Sequence, residues 1–203
     1  MWSWYLLLLK TLLLSLIVAI VTLPANSAAQ TEQPEPYQVA EAYEIYSAIL
    51  PATWPVTEAH AKTLLIRAET GSGPDMCLKP EGESVSIVGP AIADFIEMNK
   101  RPWLLQKAFQ INQPYQFIFD KELDGIFSVG VRGWKSFYEK YPDSGGYNEF
   151  SAVGFNADKT VAVSYAAHSC GGLCGGGQFY VLAKKEGKWQ ELKWKGSSCS
   201  WAS

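Results

Sequence analysis

The apolar positions of the chain come first as one unbroken block and only later at the spacings of folded elements. Residues 2–23 are almost continuously apolar, interrupted by Lys10 and stopped by Pro24. Small residues follow at Ala25, Ser27, Ala28 and Ala29, as signal peptidase sites require. The pattern therefore predicts a signal peptide over residues 1–29, removed on export. A rival reading is an uncleaved anchor, because residues 2–23 are long enough to cross a bilayer if Lys10 reaches an interface. Residues 30–36 are polar and proline-interrupted and read as a flexible tether. Residues 37–203 are left as a single domain.

Within that domain the period changes several times. Val39, Ala42, Tyr43, Tyr46, Ile49 and Leu50 recur at three and four, which predicts a helix stopped by Pro51. Residues 62–69 are a short apolar run between polar ends and read as a strand. A loop over residues 70–80 follows. Pro90 suits a helix's first turn, with Ile92, Phe95 and Ile96 continuing until Pro102. Trp103, Leu104, Leu105, Ala108 and Phe109 suggest a second short helical piece. Residues 115–120 read as a strand, and residues 134–141 as a short helix ended by Pro142.

The last third alternates differently. Residues 150–155, 160–167, 178–184 and 189–194 are β-rich and joined by connections too short for crossover helices, so neighbours must be antiparallel. Residues 156–159 and 185–188 carry turn chemistry. The expectation is α+β: a C-terminal antiparallel β-meander covered on one face by N-terminal helices.

Composition narrows the class of molecule more than its chemistry. The 203 residues are 48% apolar and 18% charged, which excludes wholesale disorder. Seventeen Lys and Arg against 20 Asp and Glu give a net charge of -3, so no basic field exists to hold a phosphate backbone, and nucleic acid is not an expected partner. Contact with a membrane is expected only through residues 1–29, if they are retained.

All four cysteines, Cys77, Cys170, Cys174 and Cys199, follow the apolar block, and an even number in an exported chain is the arithmetic of disulfides. Three pairings are possible. Cys170 and Cys174 border one glycine-rich hairpin loop and find each other at least loss of chain freedom, so Cys77 with Cys199 follows by elimination. Two other readings compete for the stretch His168-Ser169-Cys170-Gly171-Gly172-Leu173-Cys174. His168, Cys170, Cys174 and Cys199 include zinc donors, but without paired Cys-x-x-Cys knuckles, so no metal is expected. His168 and Cys170 would share one face of an unbroken strand, where an imidazole activates a thiolate or serves a redox pair. No cofactor is expected.

Other candidates are weaker. His60 is the one further histidine, and no Gly-x-Ser-x-Gly elbow accompanies either. Asp120, Glu122 and Asp124 read as a solvated turn. The loop 70–74 lacks the lysine of a phosphate loop. Among the aromatic residues, Trp194 and Trp201 border lysines or polar residues, and partial exposure there would make a binding surface.

Four motifs carry a resemblance: Trp134-Lys-Ser-Phe137-Tyr138 with Tyr141-Pro142-Asp-Ser144-Gly145, then Val153-Gly154-Phe155-Asn156-Ala-Asp158, Gly175-Gly-Gly177-Gln-Phe179-Tyr180, and Gly187-Lys188-Trp189. In their order and spacing the chain resembles a group of uncharacterised exported bacterial proteins. The resemblance implies bacterial export, to the periplasm or beyond, and a sheet built around a glycine-rich hairpin. It carries over no catalytic residue. The expectation is an exported non-enzymatic binding or structural module of the cell envelope, with a protein or an envelope glycan as partner. The alternative is an envelope thiol or redox enzyme using His168 and Cys170.

N-terminal sequencing of exported protein is expected to start between Ala28 and Gln30. Recovery of Met1 would establish the anchor instead.

Overall fold

The structure is a computed structural model that describes residues 33–53, 61–71, 73 and 77–203. Residues 1–29 and His60 lie outside the described residues. No described helix is long and apolar enough to cross a membrane.

The fold is α+β. Helix α1 (Ala40–Thr53) is followed by β1 (Leu64–Arg67), β2 (Lys79–Pro80), α2 (Ser84–Met98), β3 (Tyr115–Ile118), α3 (Asp120–Phe127), a 3-10 turn (Gly130–Arg132) and α4 (Gly133–Lys140). Strands then dominate: β4 (Tyr147–Phe150), β5 (Gly154–Phe155), β6 (Val161–Gly171), β7 (Cys174–Lys185), β8 (Lys188–Glu191), β9 (Gly196–Ser197) and β10 (Ser200–Ala202). The main sheet runs β10-β7-β6-β4-β1-β3, with β5 also on β6 and β8 also on β7. From β4 onward its pairings are antiparallel, which is the expected meander. β1 is parallel to both β3 and β4. Parallel neighbours need crossovers, and α2 and then α3 with α4 lie in those two connections.

Helices cover both faces of the sheet, not one. The period of two along β6 divides its side chains between two cores. Ala162 and Ala166 join Tyr43, Tyr46 and Ile49 of α1 with Phe109 and Phe150 on one face. Val161, Val163, Tyr165 and Ala167 meet Val88, Ala91 and Phe95 of α2 on the other. On that second face Leu65, Ile118, Leu123 and Phe137 seal β1 and β3 under α3 and α4. A strand buried on both sides cannot alternate apolar with polar, and β6 reads Val-Ala-Val-Ser-Tyr-Ala-Ala-His.

Other departures have local causes. Helix α2 begins at Ser84, so Pro90 sits inside it instead of in its first turn. Residues 103–109 are not helical, because tertiary partners satisfy their backbone. Leu104 donates to the Glu35 carbonyl, Leu105 to that of Ala68, and the Leu104 carbonyl accepts from Tyr37. The same pairing docks Glu35 and Pro36, so the tether stops short of them. The acids at Asp120, Glu122 and Asp124 belong to α3, where Glu122 contacts Lys140 and Tyr141. Ser151 interrupts the first β-rich run: its backbone N–H donates to Tyr165 O at 2.9 Å and its hydroxyl accepts from Tyr165 N at 2.8 Å.

Gly154 marks a close helix-to-sheet approach, where a Cβ would overlap Phe95 N and Ala91 O of α2. Backbone atoms cannot swing aside, so Gly154→Ala is expected to destabilise the fold by about 3 kcal/mol. Urea denaturation checks it, and an unchanged midpoint would refute this packing.

Candidate functional site

The glycine cluster expected to be a loop is mostly strand. Pairing continues to Gly171 with Cys174, leaving only Gly172 and Leu173 at the tip. The reason lies on the opposite strand edge, where β10 pairs with β7 and sets Trp201 across from Gly177. A Cβ on Gly175 would fall 3.3 Å from the Trp201 ring, and one on Gly177 would fall 2.6 Å from its Nε1. The two glycines are a seat for an indole. Trp201 Nε1 donates to the Tyr165 hydroxyl at 2.6 Å, and Tyr165 is itself buried in the second core. With one part of the ring fixed this way, Trp201 still remains 41% exposed.

What brings Trp201 to its seat is the Cys77–Cys199 disulfide, with a Cα separation of 5.9 Å and a sequence separation of 122. Cys199 N also donates to Cys77 Sγ at 3.1 Å, and β9 pairs with β2 beside it. Trp194 lies on the second core with Cys77 and Cys199, partly buried. It packs on the same core as the staple, with its ring beside Gly196.

One lateral row leads inward from Trp201. The register runs Trp201, Gly177, Ala167, Glu149 across β10, β7, β6 and β4. At strand spacing this places Glu149 and Trp201 about 14 Å apart, backbone to backbone. Small side chains occupy the middle and charged ones the far end. There Arg67 Nη1 lies 3.3 Å from Glu149, while its Nε and Nη2 each donate to Asp120 at 2.6 Å. That bidentate pair raises the Arg67 pKa further, despite partial burial. Glu69 stands nearby with its pKa raised by burial and by the charge of Asp120. Arg67 closes β1 and Asp120 opens α3 with only Phe119 between it and the end of β3, so this cluster sits at the carboxyl ends of parallel strands, where open sheets place ligands.

The remaining candidates separate. Cys170 and Cys174 are bonded, with Cα atoms 5.1 Å apart, so Cys170 offers no resting thiolate. The ladder shifts register between Ser169 and Gly171, so the strand is not unbroken at Cys170. His168 is buried and its Nδ1 lies 3.1 Å from Asn148 Oδ1. Asn148 Nδ2 donates to Leu65 O, so Oδ1 is the acceptor and Nδ1 carries the proton. This is a structural bridge between β4 and β6. Among the described residues, no three His, Cys, Asp or Glu side chains converge as a metal site.

No family profile, curated protein or solved structure matches the chain. Its chemistry therefore has to come from these side chains. Tyr165, Arg67 and Glu149 escaped sequence reasoning because each was an ordinary member of a strand pattern. The available signal was charge placed against an apolar run, Arg67 after Leu-Leu-Ile and Asp120 after Phe-Ile-Phe.

Gly177→Ala is expected to eject the Trp201 ring, raising its quenching by acrylamide and costing about 1–3 kcal/mol. Gly172, with nothing within 4 Å of a Cβ, serves as the silent control. Equal quenching in both variants would refute the seat.

Proposed function

We propose that the protein is an exported, non-enzymatic binding module of the bacterial cell envelope that holds a glycan against Trp201. The observation that carries this reading is a half-exposed indole fixed from behind by two glycines and a buried tyrosine hydroxyl. An aromatic face held rigid loses little freedom on binding, and the apolar face of a sugar ring is the surface that stacks on it. Carboxylate and guanidinium groups lie along the same register row, at a reach suited to hydroxyls of a further ring. A protein partner would favour a broader apolar surround than this narrow row provides.

Two disulfides support an oxidising compartment. The rigid aromatic seat favours binding as the primary activity.

Cosedimentation of the exported protein with purified cell-wall polysaccharide tests the proposal. Wild type is expected to bind, Trp201→Phe to retain part of the affinity, and Trp201→Ala to lose at least about tenfold. Equal cosedimentation of wild type and Trp201→Ala, with both disulfides intact, would overturn it.

A further inference from the structure

A separate cleft of about 380 Å³ opens beyond the strand ends, large enough for a small molecule. Its walls carry opposite charge. One is formed by Arg67, Glu69 and Asp120, the other by Lys100 and Arg101. Gly71 leaves space between them: a Cβ there would meet Arg67 Nη1 only at 3.6 Å and Glu149 Oε1 at 3.9 Å.

On the first wall Arg67 is fully committed. All three of its nitrogens engage Asp120 or Glu149, so two carboxylates answer one guanidinium. Glu69 adds a further carboxylate, which makes no hydrogen bond or ion pair with the described residues. This wall has negative charge to spare, because Arg67, the cation near Glu69, is already bonded to two other carboxylates. On the second wall Arg101 lies 4.0 Å over the Trp103 ring and contacts Glu35 at 2.8 Å. Both members of that pair are more than half exposed, as are Lys100 and its partner Glu97. Exposed pairs are weak, so these cations can exchange their partners for a ligand anion, and stacking on Trp103 holds the Arg101 fork in place. The other polar groups are already occupied. Asn99 bonds Phe95 and Ala152, and the Thr70 hydroxyl accepts from Trp103 N.

We propose that this cleft binds a small zwitterion, an amino acid or a short peptide, with its ammonium on Glu69 and its carboxylate on Arg101 and Lys100. The ligand contacts assigned here, Glu69, Lys100 and Arg101, are not among the side chains the glycan reading uses, so the two readings stand or fall independently.

Calorimetric titration of the full exported protein tests it, with L-alanine and L-alanyl-L-alanine as probes and propionate and propylamine as their singly charged halves. One of the two zwitterions is expected to bind saturably, and whichever binds more tightly sets the length of the ligand. Each half should bind at least about tenfold more weakly. Glu69→Gln and Arg101→Gln should each weaken binding to a similar degree, and Gly71→Leu should block it by filling the gap. Glu69→Gln is isosteric and removes no contact, so its folding is not at issue. Polysaccharide cosedimentation should be unchanged in Glu69→Gln. Absence of saturable binding by either zwitterion, equal binding of propionate or propylamine, or full retention by Glu69→Gln would overturn the proposal.

Discussion

Burial of β6 on both faces is the constraint from which the architecture follows. From Val161 to His168 every residue of that strand is buried. Both faces must therefore be roofed, and neither helix layer suffices alone. Ala162 and Ala166 are small enough to admit the aromatic cluster of α1, in which Tyr46 lies 4.8 Å from Phe150, ring to ring. Opposite them, Val163 and Tyr165 carry α2. The same strand supplies the hydroxyl that Trp201 binds and the small Ala167 in the row leading to Glu149. Core and candidate site thus share one strand and differ only in which residues are large.

Tyrosine is the economical solution where helices meet irregular backbone. Tyr37 accepts from Val153 N, Tyr46 donates to Ser151 O, and Tyr43 donates to Tyr37 O while accepting from Gln106 N. The bonds to Ser151 and Val153 satisfy peptide groups left unpaired between β4 and β5, those of Tyr43 do the same for Tyr37 and Gln106, and the rings fill the core. Burial raises the pKa of Tyr37 and Tyr46, keeping both hydroxyls protonated as donors.

The meander was legible because turn chemistry and alternating runs are local. Helices α1 and α4 were legible for the same reason. What escaped was set by distant partners. Residues 103–109 have helical composition, yet Glu35 and Ala68 take their backbone bonds. The parallel pairing of β1 with β3 and β4 leaves no local trace, and without it Arg67, Asp120 and Glu149 cannot be seen as one cluster. The glycines at 175 and 177 were visible as composition, but their use was not. Glycine in a strand costs stability unless another group occupies the vacated space, and here that group is an indole from the far end of the sequence.

The two disulfides consequently do different work. Linking Cys170 to Cys174 at a sequence separation of 4 constrains a hairpin that the ladder already defines, and on the loop-closure model contributes about 2 kcal/mol. Linking Cys77 to Cys199 at a sequence separation of 122 contributes about 5 kcal/mol on the same model. Its larger effect is positional. Strand β10 is three residues long and exposed throughout, so it brings little apolar surface of its own to hold it against β7. The staple places Ser200–Ala202 within reach of the open β7 edge, and Tyr165 then selects the orientation of the indole. Trp201 is therefore held by three independent restraints, one covalent, one a strand ladder and one a buried hydroxyl. A side chain needed only to cover the second core would require fewer, and would not remain open to solvent on its other side.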